Sequence, residues 1–261
     1  MFRGPDHIPI LTTFVLFASD MVASVSHASR RQAPGVPLAA MRAIIFDFDG
    51  VLVDSEPLHE WSIREAVAPR GWSFTHAQFV DGIVGRGDER AFATIARWNN
   101  AEISETLAVQ LLETKRALMA EGIASGRFTP QPGAVETVHA AASLGPLAVC
   151  SGSRASVVLP ILRAIGLADA FARVVTADDV TRPKPAPDGY ILTAARLSVA
   201  PSDCLAIEDT PAGVRSARDA GMRVVAVCHT CPAPSLADAH EVIPTIADAM
   251  DVLRAWARSA P

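Results

Sequence analysis

The chain has 261 residues, half of them apolar and a fifth charged, with a formal net charge of −5. That balance excludes disordered, collagen-like and coiled-coil classes, and no basic run longer than Arg30-Arg31 offers a footprint for nucleic acid. A chain of this length buries roughly three quarters of its unfolded surface, so it needs neither disulfides nor a structural metal to hold a core.

Ile8 to Ala18 form an apolar run of eleven residues, followed by Ser26-His27-Ala28, a small-x-small pattern like a signal-peptidase site. The run is too short to span a bilayer. Arg3 is offset by Asp6, and a second methionine, Met41, stands directly before the first convincing strand. Residues 1–40 are therefore expected to be an extension or upstream-start segment outside the fold of a cytoplasmic protein. The alternative is a secretory signal and export.

Arg42 to Asp47 read as a strand buried on both faces, with Asp47 at its carboxyl end. From Glu56 to about Ile123 the pattern turns helical, at Pro57–Val67, Glu89–Trp98 and Ser104–Met119, with no plausible strand. After a loop over Gly126–Gly133, strands are predicted at Leu147–Cys150, Arg173–Thr176, Cys204–Ile207, Arg223–Val227 and Glu241–Ile243. Helices at Ala134–Leu144, Ser156–Ile165, Gly189–Leu197, Ala212–Ala220 and Ile246–Ala257 separate them. Alternating strand and helix imply an α/β fold with a doubly wound parallel sheet, a Rossmann-like core. Residues 41–54 and 130–261 would form this core, and residues 55–129 an inserted helical cap.

In such sheets ligands bind outside the carboxyl ends of the strands. Four polar motifs fall there. The first strand ends in Asp47-Phe48-Asp49-Gly50-Val51-Leu52-Val53-Asp54-Ser55, and the second in Cys150-Ser151-Gly152-Ser153-Arg154, whose hydroxyls and amides suit an anion at a helix start. Arg182-Pro183-Lys184-Pro185-Ala186-Pro187-Asp188 fixes one lysine between prolines, and a further strand ends in Glu208-Asp209. Singly these are caps and turns; together at the ends of different strands they describe a site. Of 23 basic residues only Lys115 and Lys184 are lysines, and an ammonium is a point charge that a guanidinium does not replace everywhere. Cys150, Cys204, Cys228 and Cys231 make no disulfide framework. Cys228-His229-Thr230-Cys231 has the spacing of half a zinc or redox site without a second pair, and otherwise reads as small apolar residues at a strand end.

The combined motifs resemble the haloacid dehalogenase superfamily, in its phosphatase and β-phosphoglucomutase-like branch with a helical cap. The resemblance implies a Mg2+-dependent phosphatase acting on a small phosphate monoester, such as a sugar phosphate, with a hexose-phosphate mutase as the alternative. It implies Asp47 as nucleophile, Asp49 as general acid and base, and Ser151 and the Gly152 amide as phosphate ligands. Lys184 would neutralise the transferring group. Mg2+ would be held by Asp47, the carbonyl of Asp49, Asp209 and, directly or through water, Glu208. In the cap it implies substrate contacts from His59, bonded to Asp49, from Gly85 and Arg86 in Asp81-Gly-Ile-Val-Gly-Arg-Gly-Asp88, and from Lys115, which spacing places equally well on a solvated helix face. Mutases that resemble this loop carry basic residues where this chain has Val84 and Asp88. The expected partner is a small phosphorylated metabolite, with no nucleic acid or membrane, for a monomer or weak homodimer.

Overall fold

The computed structural model describes residues 42–84 and 87–259, so the reading of residues 1–40 lies outside the described residues. Ala43–Phe46 (β1) is buried at every position and sits at the centre of a six-stranded sheet. Its neighbours are Leu147–Cys150 (β4) and Cys204–Glu208 (β6); outside them lie Arg173–Val175 (β5) on one edge and Arg223–Val227 (β7), then Glu241–Ile243 (β8), on the other. Every pairing is parallel, with Ile44 opposite Leu147 and Leu205.

The period of two along β1 explains why helices cover both faces. Ile44 and Phe46 face Ala134–Ala141 (α5), Ala155–Ala164 (α6) and Ala249–Arg258 (α9) in one buried cluster. Ala43 and Ile45 face Asp188–Leu197 (α7) and Pro211–Asp219 (α8) in another. Strand order reverses at β1: the chain moves outward to β4 and β5, then returns to its other side for β6, β7 and β8. That reversal puts the switch point at the end of β1, above Asp47.

Between the first and second strands of the sheet run four helices, Glu56–Val67 (α1), His76–Gly82 (α2), Asp88–Trp98 (α3) and Glu105–Ala124 (α4). Ile63, Phe74, Phe79, Phe92, Ile95 and Leu111 give this insert a buried cluster of its own, while Leu58 of α1 and Met119 of α4 join the cluster of the sheet. The chain enters and leaves the insert through a two-stranded antiparallel ribbon, Val53–Asp54 (β2) against Thr129–Pro130 (β3).

The strands and most helices match the sequence expectation within one or two residues. The last cap helix runs further, to Ala124, and the expected helix from Ile246 begins with a 3-10 turn before α9. Two elements were not expected. The ribbon is only two residues wide, too short for any periodicity. The helix α2 is likewise short, but Thr75 accepts from the Gln78 amide while the Gln78 side chain accepts from the Thr75 amide, a capping box legible in the sequence.

Candidate active site

Four strand ends converge above β1. Asp47 follows β1 directly, and its amide donates to the carbonyl of Ile207 in β6. The ammonium of Lys184 lies 2.6 Å from Asp47 Oδ1 and 2.6 Å from Glu208 Oε1, and 3.1 Å from the Cys150 carbonyl at the end of β4. Burial works against its charge, yet the two carboxylates hold Lys184 well above its ordinary pKa. It stays an ammonium. Glu208, fully buried, also accepts from the Tyr190 hydroxyl at 2.7 Å, and Lys184 stands 5.1 Å from the centre of that ring. Tyr190 is the chain's single tyrosine, and burial followed by the Glu208 charge pushes its phenol well above the usual value, so it remains a donor.

Two glycines exist for these carboxylates. A Cβ on Gly213, in the first turn of α8, would stand 2.0 Å from the Glu208 carboxylate. A Cβ on Gly50, which has φ +79°, would stand 1.8 Å from Asp209 Oδ2. Only glycine combines that left-handed turn with so close an approach.

Asp47, Glu208 and Asp209 bring ligand oxygens within 4.8 Å of one another, all buried. Burial, then Glu208, raises Asp47 to about 8 despite Lys184; burial, Asp47 and Glu208 likewise raise Asp209. Asp209 Oδ1 is buried without a hydrogen-bond partner. A buried carboxylate oxygen with no donor, among two further carboxylates and only one ammonium, is the chemistry of a hard divalent cation site. The donor set fits such an ion, with Asp47 and Asp209 free to ligate. Glu208 is already engaged by Lys184, Tyr190 and the Asp209 amide at 3.2 Å.

Asp49 lies beside this group with its carboxylate on three hydroxyls: Ser55 at 2.5 Å, Ser153 at 2.7 Å and Ser151 at 3.4 Å. Ser151 Oγ also accepts from the Ser153 amide, and Gly152 between them is exposed with open space around its Cα. From the sequence Ser55 has no role and Ser153 only that of one hydroxyl suited to an anion; in the structure both donate to Asp49. Behind the loop, His229 Nδ1 donates to the Gly50 carbonyl at 2.8 Å while its Nε2 accepts from the Ile246 amide, which fixes the neutral tautomer. Thr230 hydrogen-bonds to the Asp209 carboxylate. Cys228 and Cys231 are free and pack against the sheet, so this segment supports the acid loop through its histidine and threonine.

On the helical side, Lys115 is buried, which decides its orientation: it faces α1. Its Nζ pairs with Asp88 at the start of α3 and lies 3.3 Å from His59 Nδ1. The expected bond from His59 to Asp49 is not formed, because Lys115 is the polar neighbour of the ring and hydroxyls occupy Asp49. Burial and then Lys115 lower His59 to about 4, so the imidazole is neutral. Glu56, in the first turn of α1, was not anticipated; burial, Asp49 and Asp54 raise it to about 7. Gly85 and Arg86 lie outside the described residues.

Residues 41–221 match the family model of haloacid dehalogenase-like hydrolases. The chain belongs to this family. The haloacid dehalogenase-like match ends before His229 and Thr230, so part of the site's support comes from beyond the matched segment. Among curated relatives, fructose-1-phosphate phosphatase YqaB of Escherichia coli strain K12 is 33% identical over 70% of this chain and 95% of its own. Hexitol phosphatase A of the same organism is 34% identical over 75% of this chain and 87% of its own. Among solved structures, CbbY from Rhodobacter sphaeroides in complex with phosphate superposes with a TM-score of 0.72 at 25% identity, covering 80% of this chain and 96% of the other. A β-phosphoglucomutase from Clostridium difficile, at 23% identity and TM-score 0.71, shares the fold. Among the described residues no helix is long and apolar enough to cross a membrane.

Proposed function

We propose that this hydrolase is a Mg2+-dependent phosphatase that cleaves a small phosphate monoester, a phosphorylated sugar or sugar alcohol, through an aspartyl-phosphate at Asp47. The observation that carries the reading is Lys184 held 2.6 Å from both Asp47 and Glu208, beside an unpartnered Asp209 oxygen. An anionic nucleophile meeting an anionic phosphate needs positive charge on both. Names of relatives support the substrate class: one acts on fructose 1-phosphate and another is a hexitol phosphatase.

Mg2+ would be held by Asp47, the Asp49 carbonyl and Asp209, and would supply positive charge to offset the carboxylates and the phosphoryl oxygens. Lys184 favours the ionised form of Asp47 against its burial and holds one of its oxygens, and Mg2+ would supply the further positive charge that the nucleophile needs. An Asp47 oxygen forms a bond to phosphorus as the ester P–O bond breaks, and Asp49 gives its proton to the departing alkoxide. The carboxylate of Asp49 then takes a proton from water as that water attacks phosphorus, which releases inorganic phosphate and restores Asp47. Ser151 and the Gly152 amide bind the phosphoryl oxygens during both steps. The helical insert, residues 55–129, would cover the site and exclude bulk water, with His59 and Lys115 on its substrate side. The enzyme works in the cytoplasm as a monomer or weak dimer on this reading.

The test is a phosphate-release panel of sugar and polyol phosphates with Mg2+ and with EDTA. Mg2+-dependent release of free phosphate is expected, while an isomerised sugar phosphate in its place would redirect the reading to a mutase.

A further inference from the structure

The buried ammonium in the insert is already spoken for. Lys115, 3% exposed, pairs with Asp88 and touches His59. The charges that act most strongly on Glu56 and His59 are Asp49, Asp54, Glu60 and Asp88, and Lys115 is the only cation among them. Among the described residues this side of the site is therefore balanced or negative where a substrate's body would lie, whereas on the sheet side the ammonium of Lys184 is placed for a single phosphoryl group. A second phosphate or a carboxylate on the substrate would meet Asp88, half-exposed at the start of α3, and find Lys115 neutralised. Like charges brought together in a partly desolvated cleft discriminate strongly.

We propose that Asp88, by ion-pairing Lys115, is a specificity-determining residue that restricts this enzyme to phosphate monoesters with an otherwise uncharged body, against bisphosphates and phosphorylated acids. The inference rests on the phosphatase reading and on the insert covering the substrate. Asp88 touches no reacting atom, and its effect is exerted through Lys115.

The experiment compares kcat/KM for two pairs: fructose 1-phosphate against fructose 1,6-bisphosphate, and the size-matched glycerol 3-phosphate against 3-phosphoglycerate. p-Nitrophenyl phosphate serves as a common reference. The wild-type enzyme should favour the neutral-bodied member of each pair by at least about tenfold, which is about 1.4 kcal/mol of transition-state discrimination. D88N should shrink each ratio by about tenfold, and D88E, which keeps the charge, should retain it. Asp88→Ser provides a second neutral variant where D88N does not fold. Equal wild-type turnover within the pairs, or ratios unchanged in D88N and Asp88→Ser, would overturn the proposal while leaving a phosphatase. Absence of hydrolysis of every ester by the wild-type protein, p-nitrophenyl phosphate included, would instead overturn the phosphatase reading and this inference with it.

Discussion

Tyr190→Phe isolates one oxygen atom. The ring is fully buried against β1 and β4, so phenylalanine fills the same volume and leaves no cavity. What disappears is the 2.7 Å bond to Glu208 Oε1, a carboxylate that is itself without solvent exposure. A hydrogen bond to a charged group contributes about 1.5–3 kcal/mol, and each kcal/mol moves the melting temperature of a chain this size by roughly 2–4 °C. The variant should therefore melt roughly 3–12 °C lower than the wild type in EDTA at neutral pH. Lys184 retains Asp47 and the Cys150 carbonyl, so the loss should appear in stability before it appears in turnover. Thermal unfolding followed by circular dichroism is sufficient, with phosphate release measured on the same samples. An unchanged melting temperature would refute the argument, because it would mean that Glu208 needs no neutral donor beside its ammonium.

Asp47→Asn should abolish phosphate release yet raise the metal-free melting temperature by about 2–5 °C, since it removes one of three crowded buried carboxylates; a lower melting temperature would contradict the crowding argument. Gly50→Ala should weaken Mg2+ binding by more than about tenfold, read by calorimetry, because its Cβ occupies the place of Asp209 Oδ2. Retained affinity would show that the loop relaxes freely. A carboxyl whose pKa is higher folded than unfolded binds more protons in the native state between the two values, so stability falls as pH rises through that interval. For Asp47 the interval is 3.8 to about 8, and for Glu56 4.5 to about 7. His59, lowered from 6.5 to about 4, acts in the opposite sense below pH 6.5. Between pH 6.5 and 8 the acids dominate: melting temperature in EDTA should fall across this window and, in saturating Mg2+, keep only the shallower fall that Glu56 contributes up to about pH 7, whereas a rise in EDTA would refute the assignment.

The sheet and its site were legible because burial on both faces leaves an unmistakable apolar run, and because polar residues at the end of such a run have few structural reasons to be there. Asp47, Lys184, Glu208 and Asp209 lie together at those strand ends. Tyr190 was not legible: an aromatic two positions after Asp188 in a helix reads as core, and nothing local reports that its hydroxyl reaches a carboxylate on β6. The Asp88–Lys115 pair joins residues 27 apart through the fold of the insert, which helical spacing does not encode. His229 and Thr230 were weighed as part of half a metal site, since their neighbours are cysteines, and only the pairing of β7 alongside β6 brings the segment after it to Gly50 and Asp209.

His229 is separated from Gly50 by 179 residues. On a ribosome adding roughly 5–20 residues per second, roughly 10–35 seconds pass between the emergence of the acid loop and that of the imidazole that holds it. β1 waits in the same way, since both of its sheet partners, β4 and β6, are made much later. The acid loop is thus made long before the residue that fastens it, and a chain cut between Asp209 and His229 would carry every motif residue without the imidazole that holds the loop.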